Sequence, residues 1–585
     1  MELNTDQDSD MDSQVSDWEI EDGVPQFKDQ FILQYLQGRE ALIDQEKSQR
    51  SDYTFRQSLN PLAVEACTIV SRILAEERQT IWSGNLSDDS VQADAMDLYP
   101  GMMFTLAQDF IKKTKSWNIV KKMPKGALLH AHQDAMIDVD WLIDQVLETE
   151  GMAMSTNGAG LSTGEVRTRA EIRFGYTKSP IPDGSSIWTA EYQDSRLVSV
   201  LDAARSFPDG SIEGFKAWLK SRCTITLAES IEHHLGVDNI WQKFTSCFPL
   251  LNSMEYYEPI FRASMQRLLR QLVEDGLRWV DFRSMFYAEF TLEGCDKPSR
   301  GFHDFLRVFD EEVKKFKATE AGKDFWGCRF IWSSLRRWGK KKIVEHMKEC
   351  IAMKLAFPEI IAGYDLVGQE DLGRPLSDLV PELFWFKKRC FENGVDIPFF
   401  FHAGECLGDG DETDQNLFDA ILLGTRRIGH GFSLFKHPLL MDMVKQKKIL
   451  IESCPISNEV LRLTSSTKAH PLPALLARGV PCALSNDDPA ILGHRDNGVT
   501  HDFWQALQGW ENLGLAGLGS LAENSVRWAA FEDQTAKVWN KDIKDGVYGE
   551  GIRGSRLREW TAEWNKFCEW IVMEYAIEYG GDMDM

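Results

Sequence analysis

Apolar residues recur every three or four positions along the first fifth of the chain. The pattern runs from Phe27 to about Asn118 and is clearest in FKDQFILQYLQGREALIDQEKSQR and NPLAVEACTIVSRILAEERQTIW. This spacing puts the apolar side chains on one face of a helix. It predicts a helical extension over residues 23–118, which either packs on the chain's own core or pairs with a second copy. Residues 1–22 are rich in Asp, Ser and Gln, and we expect a disordered acidic tail there.

Further along, short apolar runs alternate with helical patterns. Eight runs end in polar residues: ALLHAH at 127, LRWVDFRSMF at 277, FWGCRFIWSSLRRW at 325, IAGYDLVGQED at 361, IPFFFHAGE at 397, RRIGHGFSL at 426, ILIESCPISN at 449 and PCALSNDDPA at 481. Alternation of this kind predicts parallel strands joined by crossover helices. Eight such units close into a TIM (β/α)8 barrel of the α/β class, here over residues 119–149 and 236–585.

The stretch between the first two runs has a different composition. GMAMSTNGAGLSTGEVRTRAEIRFGYTKSPIPDGSSIW is rich in Gly, Ser and Thr and lacks a strong period. It predicts an insertion over residues 150–235, either a loop-rich subdomain or a lid.

The composition narrows the class of protein. The formal net charge is −25, which argues against a nucleic-acid-binding surface and against contact with an anionic membrane. The eleven cysteines are scattered without a CxxC pair, which indicates reduced thiols. The N-terminus has no apolar signal segment, and no apolar run reaches membrane-spanning length. We therefore expect a cytoplasmic protein with no membrane and no nucleic-acid partner.

Groups able to do chemistry lie at the ends of several predicted strands. His130 and His132 end the first strand, and residues two apart in a strand point to the same side. Two imidazoles aimed at one point suit Zn²⁺ better than they suit an apolar core. Further groups follow later strands: His402 and Glu405 in FFFHAGE, His430 in IGHG, and Asp487 with Asp488 in SNDDP. Since catalytic groups of a barrel gather at the carboxyl ends of its strands, turn chemistry alone does not explain this series.

These motifs resemble those of the adenosine deaminase family. MPKGALLHAHQDA, YDLVGQE, HAGE, IGHG, CPISN, HPLPALLARGVP and SNDDPA follow one another in that family's order over about residues 120–500. The first motif, the insertion and the helical extension resemble the adenosine deaminase-related growth factor (ADGF) subfamily. The resemblance implies a metal-dependent amidohydrolase barrel and a homodimer formed through the N-terminal helices. The sequence differs from secreted members in lacking a signal peptide, and its insertion holds one cysteine, Cys223, so we expect an intracellular member.

The resemblance also implies a role for each motif residue. One Zn²⁺ per chain is expected, with the ligands His130, His132, His402 and Asp487. Bound zinc lowers the pKa of water toward about 7 and so generates hydroxide. The expected catalytic groups are His430, which orients or deprotonates the water, Glu405, which protonates purine N1, and Asp487. The expected substrate contacts are Asp488 at N7, the Gly368 N–H at N3, Asp134 at the ribose 5′-hydroxyl and Glu370 on the ribose side.

The implied reaction is zinc-dependent hydrolytic deamination of adenosine, and of 2′-deoxyadenosine, to inosine and ammonia by attack of zinc hydroxide at purine C6. The motifs fix the reaction at C6 better than they fix the sugar end. One alternative is therefore a deaminase of another 6-aminopurine, such as AMP or a modified adenosine. The other is a signalling or binding protein that retains the fold without turnover.

Overall fold

The computed structural model describes residues 24–82, 98–181, 186–408, 410–494 and 498–580. The predicted acidic tail, 1–22, and residues 83–97 of the predicted helical extension lie outside the described residues.

Eleven β-strands lie in the described residues: β1 Gly126–His132, β2 Met152–Thr156, β3 Ile172–Tyr176, β4 Val198–Ser199, β5 Leu277–Ser284, β6 Gly327–Leu335, β7 Ile361–Val367, β8 His402–Ala403, β9 Arg427–His430, β10 Leu450–Ser453 and β11 Cys482–Leu484. The strands β1 and β5 to β11 fall on the eight apolar runs from which strands were predicted.

The α-helices are α1 Gln30–Ser48, α2 Tyr53–Gln57, α3 Pro61–Thr80, α4 Phe104–Ile111, α5 Lys115–Lys122, α6 Val139–Glu148, α7 Gly164–Arg169, α8 Val200–Arg205, α9 Ser211–Cys223, α10 Leu227–Ser230, α11 Gly236–Glu255, α12 Glu258–Glu274, α13 His303–Lys317, α14 Lys340–Ala356, α15 Val380–Glu392, α16 Asn416–Leu422, α17 Pro438–Lys447, α18 Pro455–Val460, α19 Leu472–Ala477, α20 Gly498–Gly509, α21 Gly514–Arg527, α22 Ala536–Asp545 and α23 Ile552–Tyr579. Short 3-10 helices span Gln133–Ala135, His233–Leu235, Leu376–Leu379, Phe432–Lys436, Thr467–Ala469 and Gly546–Tyr548. No helix among these described residues is long and apolar enough to cross a membrane.

The eight barrel strands form two parallel sheets that meet at both edges. Their orders are β1-β5-β6-β7 and β11-β10-β9-β8. Isolated parallel bridges join Ala131 to Asp487 at one seam and Tyr364 to Phe399 at the other. The second seam is short because Pro398 has no N–H to donate, although its carbonyl accepts from the Tyr364 N–H at 2.9 Å. The strands form the TIM barrel of the amidohydrolase type that the sequence predicted.

The segment after β1 is ordered into a small layer of its own. Strands β2, β3 and β4 form an antiparallel sheet with the order β3-β2-β4. Helix α11, which follows the predicted insertion, packs on β3 and on the 3-10 helix Gln133–Ala135 at the end of β1. The inserted layer therefore contacts the carboxyl end of the barrel through α11.

The two main N-terminal helices differ in what they contact. Helix α3 packs against α23 and α21, and buries an apolar face that includes Ala66, Ile69 and Ile73. Its first turn is capped by the Asn60 side chain, which accepts from the Ala63 N–H at 2.9 Å. Helix α1 buries none of its residues. Of the two alternatives left open by the sequence, packing on the chain's own core applies to α3. Helix α1 leaves Phe31, Leu33, Tyr35 and Leu42 exposed and buries its other large apolar side chains only in part.

A charged layer closes the barrel interior beneath the strand ends. The Arg283 side chain is fully buried and donates to Asp365 at 2.8 Å, to Glu452 at 2.6 Å and to the Leu129 carbonyl at 2.9 Å. Burial opposes ionisation of both carboxyl groups, but the neighbouring cations outweigh it and hold the pKa of Asp365 and of Glu452 below the usual range. Arg427 also donates to Glu452. The layer is a buried, fully paired ion network.

Replacing Arg283 with Met should strongly destabilise the barrel. The variant leaves Asp365 and, in part, Glu452 buried without a cation, and breaking such a pair costs roughly 3–5 kcal/mol. Urea unfolding followed by tryptophan fluorescence measures the loss of free energy. The control is Arg307→Met, which removes the surface pairs of Arg307 with Asp304 and Glu311 and should cost at most about 1 kcal/mol. Equal losses in the two variants would contradict the importance of the buried network.

Candidate active site

Four histidine rings meet at the carboxyl ends of the barrel strands. The ring centroid of His130 lies 5.5 Å from that of His132, 4.5 Å from that of His402 and 4.7 Å from that of His430. All four side chains are buried. The structure thus brings together the four histidines that the sequence placed at the ends of β1, β8 and β9.

The Asp487 carboxylate lies among these rings. Its Oδ1 is 3.3 Å from Nε2 of both His130 and His132, and its Oδ2 is 3.7 Å from Nε2 of His430. The Ser457 hydroxyl donates to Oδ2 at 2.7 Å. Asp487 itself has a φ of 58°, a left-handed conformation that costs a non-glycine residue roughly 1–2 kcal/mol. Strain of this kind persists where surrounding contacts enforce it, and it is concentrated at functional sites.

Carboxylates behind two of the rings determine their orientation. His130 Nδ1 lies 2.8 Å from Glu452, and His402 Nδ1 lies 2.7 Å from Asp365. Each ionised carboxylate accepts the Nδ1–H, so the Nε2 lone pair of the neutral ring faces the centre of the cluster. Burial lowers the pKa of His402 to about 3, which keeps that ring neutral, the form that binds a metal.

The arrangement of donor atoms fits a divalent cation. Donor atoms of His130, His402, His430 and Asp487 all lie within 4.8 Å of one another, and His132, Asp487 and Asp488 form a second such group. Among the described residues, His130 Nε2 and Asp487 Oδ1 are buried without a hydrogen-bond partner. Unpaired buried acceptors cost free energy, and a cation would satisfy them. The four predicted ligands divide between two groups that share Asp487.

Glu405 lies beside this cluster with its carboxyl group buried. Its Oε1 is 3.4 Å from His430 Nε2, and its N–H donates to Glu370 at 2.8 Å. Burial, and then the negative charges of Asp487 and Glu370, raise the pKa of Glu405 well above the usual range. Burial and the Asp487 charge raise the pKa of Asp488 in the same way. Both groups therefore favour the protonated form, which can donate a hydrogen bond.

A cavity of about 510 Å³ opens above the cluster, a size typical of small-molecule sites. Its floor contains the imidazole and carboxyl groups His132, His402, Glu405, His430, Asp487 and Asp488. One wall is the apolar face of α11, with Trp241, Phe244 and Phe248. The lining also includes Tyr287, Arg337 and the fully buried Arg336. The cavity is thus polar at one end and apolar along one side.

The remaining predicted substrate contacts differ in their position. Gly368 follows β7, has a φ of +99° and lines the cavity. Asp134 and Glu370 are buried and do not line the cavity. Asp134 accepts from Asn252 of α11 at 3.3 Å. The two carboxylate oxygens of Glu370 accept from the Glu405 N–H and from Asn416, so Glu370 lies behind Glu405.

Several residues of the site received no role from the sequence. The carboxylates behind the rings, Asp365 and Glu452, lie within apolar runs, where a charged residue is itself an unusual signal. Ser457 and Asn458 lie in the quoted motif CPISN, but the motif gives no direction for their side chains. The cavity wall was detectable in principle, because Trp241, Phe244 and Phe248 share one face at helical spacing.

Comparison with known proteins identifies similar chains. The family model described as adenosine deaminase matches residues 240–547. The chain is 32% identical over 473 residues to adenosine deaminase 2-A of Danio rerio, and the match covers 79% of this chain and 86% of that protein. It is 30% identical over 470 residues to an adenosine deaminase of Lutzomyia longipalpis, and the match covers 78% of this chain and 80% of that protein. It is 28% identical over 558 residues to adenosine deaminase 2 of Dictyostelium discoideum, covering 93% and 89%.

Replacing His132 with Ala should release most of a bound metal. The change removes one nitrogen donor beside Asp487 without filling the space. Each side chain that coordinates the metal directly contributes to the affinity for the metal. Elemental analysis of protein purified from zinc-supplemented cells measures the metal per chain. His303→Ala is the control, because His303 is exposed on α13 far along the chain from the cluster. Full metal occupancy in His132→Ala would rule out His132 as a ligand.

Proposed function

The chain belongs to the adenosine deaminase family of hydrolytic deaminases, and from this membership we propose that it converts adenosine and water to inosine and ammonia with one zinc ion per chain. 2′-Deoxyadenosine is proposed as a second substrate. The observation that carries the proposal is the meeting of a buried, protonated carboxyl group, Glu405, with the imidazole and carboxylate donors at the floor of one cavity.

The proposed zinc ligands are His130, His132, His402 and Asp487. A set dominated by imidazole nitrogen suits zinc among the divalent cations. When bound there, zinc supplies Lewis acidity that lowers the pKa of water. The contacts of His130 with Glu452 and of His402 with Asp365 support the assignment, because they leave the Nε2 lone pairs facing inward.

Three hydrogen-bond donors on the cavity surface match three acceptors of the purine. We propose that Glu405 places its proton on N1, which makes C6 more electrophilic while water oxygen adds there. Asp488 in its protonated form donates to N7, and the Gly368 N–H donates to N3. The raised pKa values of Glu405 and Asp488 support these roles, because a carboxylate would only accept.

The proton of the attacking water must reach the departing amine. Asp487 is the proposed carrier, since its carboxylate lies at the cavity floor and its Oδ2 is 3.7 Å from His430 Nε2. His430 is proposed to orient the water. Trp241 and Phe248 of α11 cover the purine and exclude bulk water, which strengthens each polar contact.

The sugar end is assigned through indirect contacts. Asp134 binds Asn252 at 3.3 Å, and Asn252 also donates to the Tyr287 hydroxyl at 3.4 Å on the cavity rim. We propose that Asp134 acts on the ribose 5′-hydroxyl through Asn252 and the Tyr287 hydroxyl. Glu370 is proposed to support the sugar side by holding the backbone at Glu405.

We propose residues 23–118 as the helical extension, 119–149 with 236–585 as the catalytic barrel, and 150–235 as an inserted unit. A cytoplasmic location is proposed as well. All eleven cysteines are free, and disulfide-free proteins are typical of reducing compartments.

We further propose a homodimer that uses α1. The helix exposes Phe31 to 57%, Tyr35 to 68% and Leu42 to 67%, an unusual run of uncovered apolar side chains for one helix. A two-fold axis that pairs α1 with its copy or with the partner's barrel would cover them.

Glu405→Gln should lower kcat by about 10²–10⁴, because the amide keeps the shape but has no acidic proton to transfer. The assay is the ultraviolet change on inosine formation, with metal content measured on the same samples. Glu412→Gln, an exposed change seven residues away, is the control and should leave kcat unaltered. Normal turnover by Glu405→Gln with metal retained would show that another group protonates N1.

AMP is the second candidate substrate, because Arg336 and Arg337 line the cavity. Adenosine should nevertheless exceed AMP in kcat/KM by at least ~10-fold, since the two arginines of the lining are matched by the carboxylates of Asp238 and Asp487, which leaves no excess of positive charge for a phosphate. Adenosine, 2′-deoxyadenosine and AMP are compared on the native chain and on Arg337→Ser. AMP turnover equal to that of adenosine, and lost in Arg337→Ser, would replace the nucleoside with the nucleotide.

Phe31→Glu with Tyr35→Glu should convert the proposed dimer to a monomer, because two charges would be buried in the interface. Light scattering at micromolar concentration gives the mass of the whole chain. Ile577→Glu, a change at a residue 99% exposed on α23, is the matched control. A native chain that is already monomeric would refute the dimer.

A further inference from the structure

We propose that His470 and Asn458 are positioning residues that determine which ring nitrogen of His430 carries its proton, so that His430 donates into the cavity through Nε2–H. The inference rests on the proposed deaminase function of the same site. It is carried by three successive hydrogen bonds whose directions are fixed by chemistry.

The first bond begins at a group that can only donate. The Leu472 N–H lies at the start of α19, where it has no acceptor within the helix, and it donates to His470 Nδ1 at 3.0 Å. Nδ1 of His470 therefore holds a lone pair. Burial lowers the pKa of His470 to about 3, so the ring is neutral and its single proton is on Nε2.

The second bond fixes the amide of Asn458. His470 Nε2 lies 3.0 Å from Asn458 Oδ1, so Nε2–H donates to that oxygen. The opposite amide orientation would set two donors against each other. The His470 ring has little freedom to avoid this, because it is buried and lies against Phe432 and Trp510, with ring centroids 5.4 Å and 5.7 Å away.

The third bond reaches the catalytic ring. With its oxygen occupied, Asn458 presents its Nδ2 hydrogens to His430 Nδ1 at 3.1 Å. An amide nitrogen donates and does not accept, so Nδ1 of His430 is the acceptor. The proton of a neutral His430 ring is then on Nε2.

The resulting N–H points toward the reacting groups. Nε2 of His430 is 3.4 Å from Glu405 Oε1 and 3.7 Å from Asp487 Oδ2, and it has no hydrogen-bond partner among the described residues. A nitrogen that carries a proton has no lone pair to accept another. His430 therefore orients the attacking oxygen and stabilises the charge that develops on it, and does not act as the base that deprotonates it.

Asn458→Asp tests the direction of these three hydrogen bonds with almost no change in the shape of the side chain. An aspartate accepts from both rings, so it requires Nδ1–H on His430 and leaves a lone pair at Nε2. We expect kcat to fall by about 10²-fold or more, as when one preorganised donor is removed, with KM little changed. Metal content, measured on the same samples, should match that of the native chain.

The proton position is read directly by nitrogen NMR of the zinc-loaded protein labelled with ¹⁵N-histidine. The His430 signals are those missing from His430→Gln. In the native chain, Nε2 should have the protonated, pyrrole-type shift and Nδ1 the unprotonated shift, and Asn458→Asp should exchange the two.

His470 offers a matched pair of variants. His470→Phe keeps the ring packing but removes the donor to Asn458, and loss of one such bond should lower kcat by up to about 10-fold. His470→Gln restores an N–H donor near the position of Nε2 and should recover most of that loss. A purely structural role would make Phe, the better match in shape, the more active of the two.

The inference is overturned if His430 in the native chain carries its proton on Nδ1, or if Asn458→Asp keeps native kcat. Failure of the proposed function is a separate result: the native chain would then lack turnover of adenosine, whereas the nitrogen shifts of His430 would still report its tautomer.

Discussion

One buried guanidinium orients the two rings at the centre of the site. Arg283 donates to both Asp365 and Glu452, and these carboxylates in turn accept from Nδ1 of His402 and of His130. Without Arg283, Asp365 would lose its cation and Glu452 would keep only Arg427. A carboxylate that takes up a proton in a dry barrel no longer supplies the charge that fixes the tautomer of the ring above it. The inward lone pairs of His130 and His402 therefore depend on Arg283, which does not line the cavity.

Aspartate and glutamate side chains have opposite protonation states in the buried layer and at the cavity floor above it. Asp365 and Glu452 have cationic neighbours and a lowered pKa, whereas Glu405 and Asp488 lie beside the negative charge of Asp487 and have a raised pKa. Ionised carboxylates at the base accept hydrogen bonds and hold rings. In the proposed reaction, the protonated ones at the cavity floor would donate to the ring nitrogens of the purine, which are acceptors. The position of the cations, and not the type of side chain, separates support from catalysis.

The sequence predicts features that follow from local rules, and it does not predict which distant groups a side chain contacts. The strands and the convergence of His130 with His402 follow from apolar runs and from the geometry of parallel strands, which are local rules. Glu370 shows the limit, since the end of a strand gives its position but not the direction its side chain takes. Its carboxylate faces the Glu405 N–H and Asn416 because those donors are nearby in space, although Asn416 is 46 residues away in the chain.

The cavity combines a floor fixed by the barrel with a wall that the barrel does not supply. Floor residues are constrained twice, by strand ends and by the buried ion network, so a change there affects the reaction itself. The wall is α11, which is anchored by the Arg462 bond to the Gly236 carbonyl at 2.8 Å and meets the far rim where Gln369 donates to Asp238 at 2.5 Å. Neither contact involves Asp487 or the four histidines around it. If the proposed deamination holds, substitutions along α11 and at Arg337 should alter recognition of the sugar end of the substrate and preserve attack at C6. Substrate range is then expected to vary through this helix and not through the strand ends.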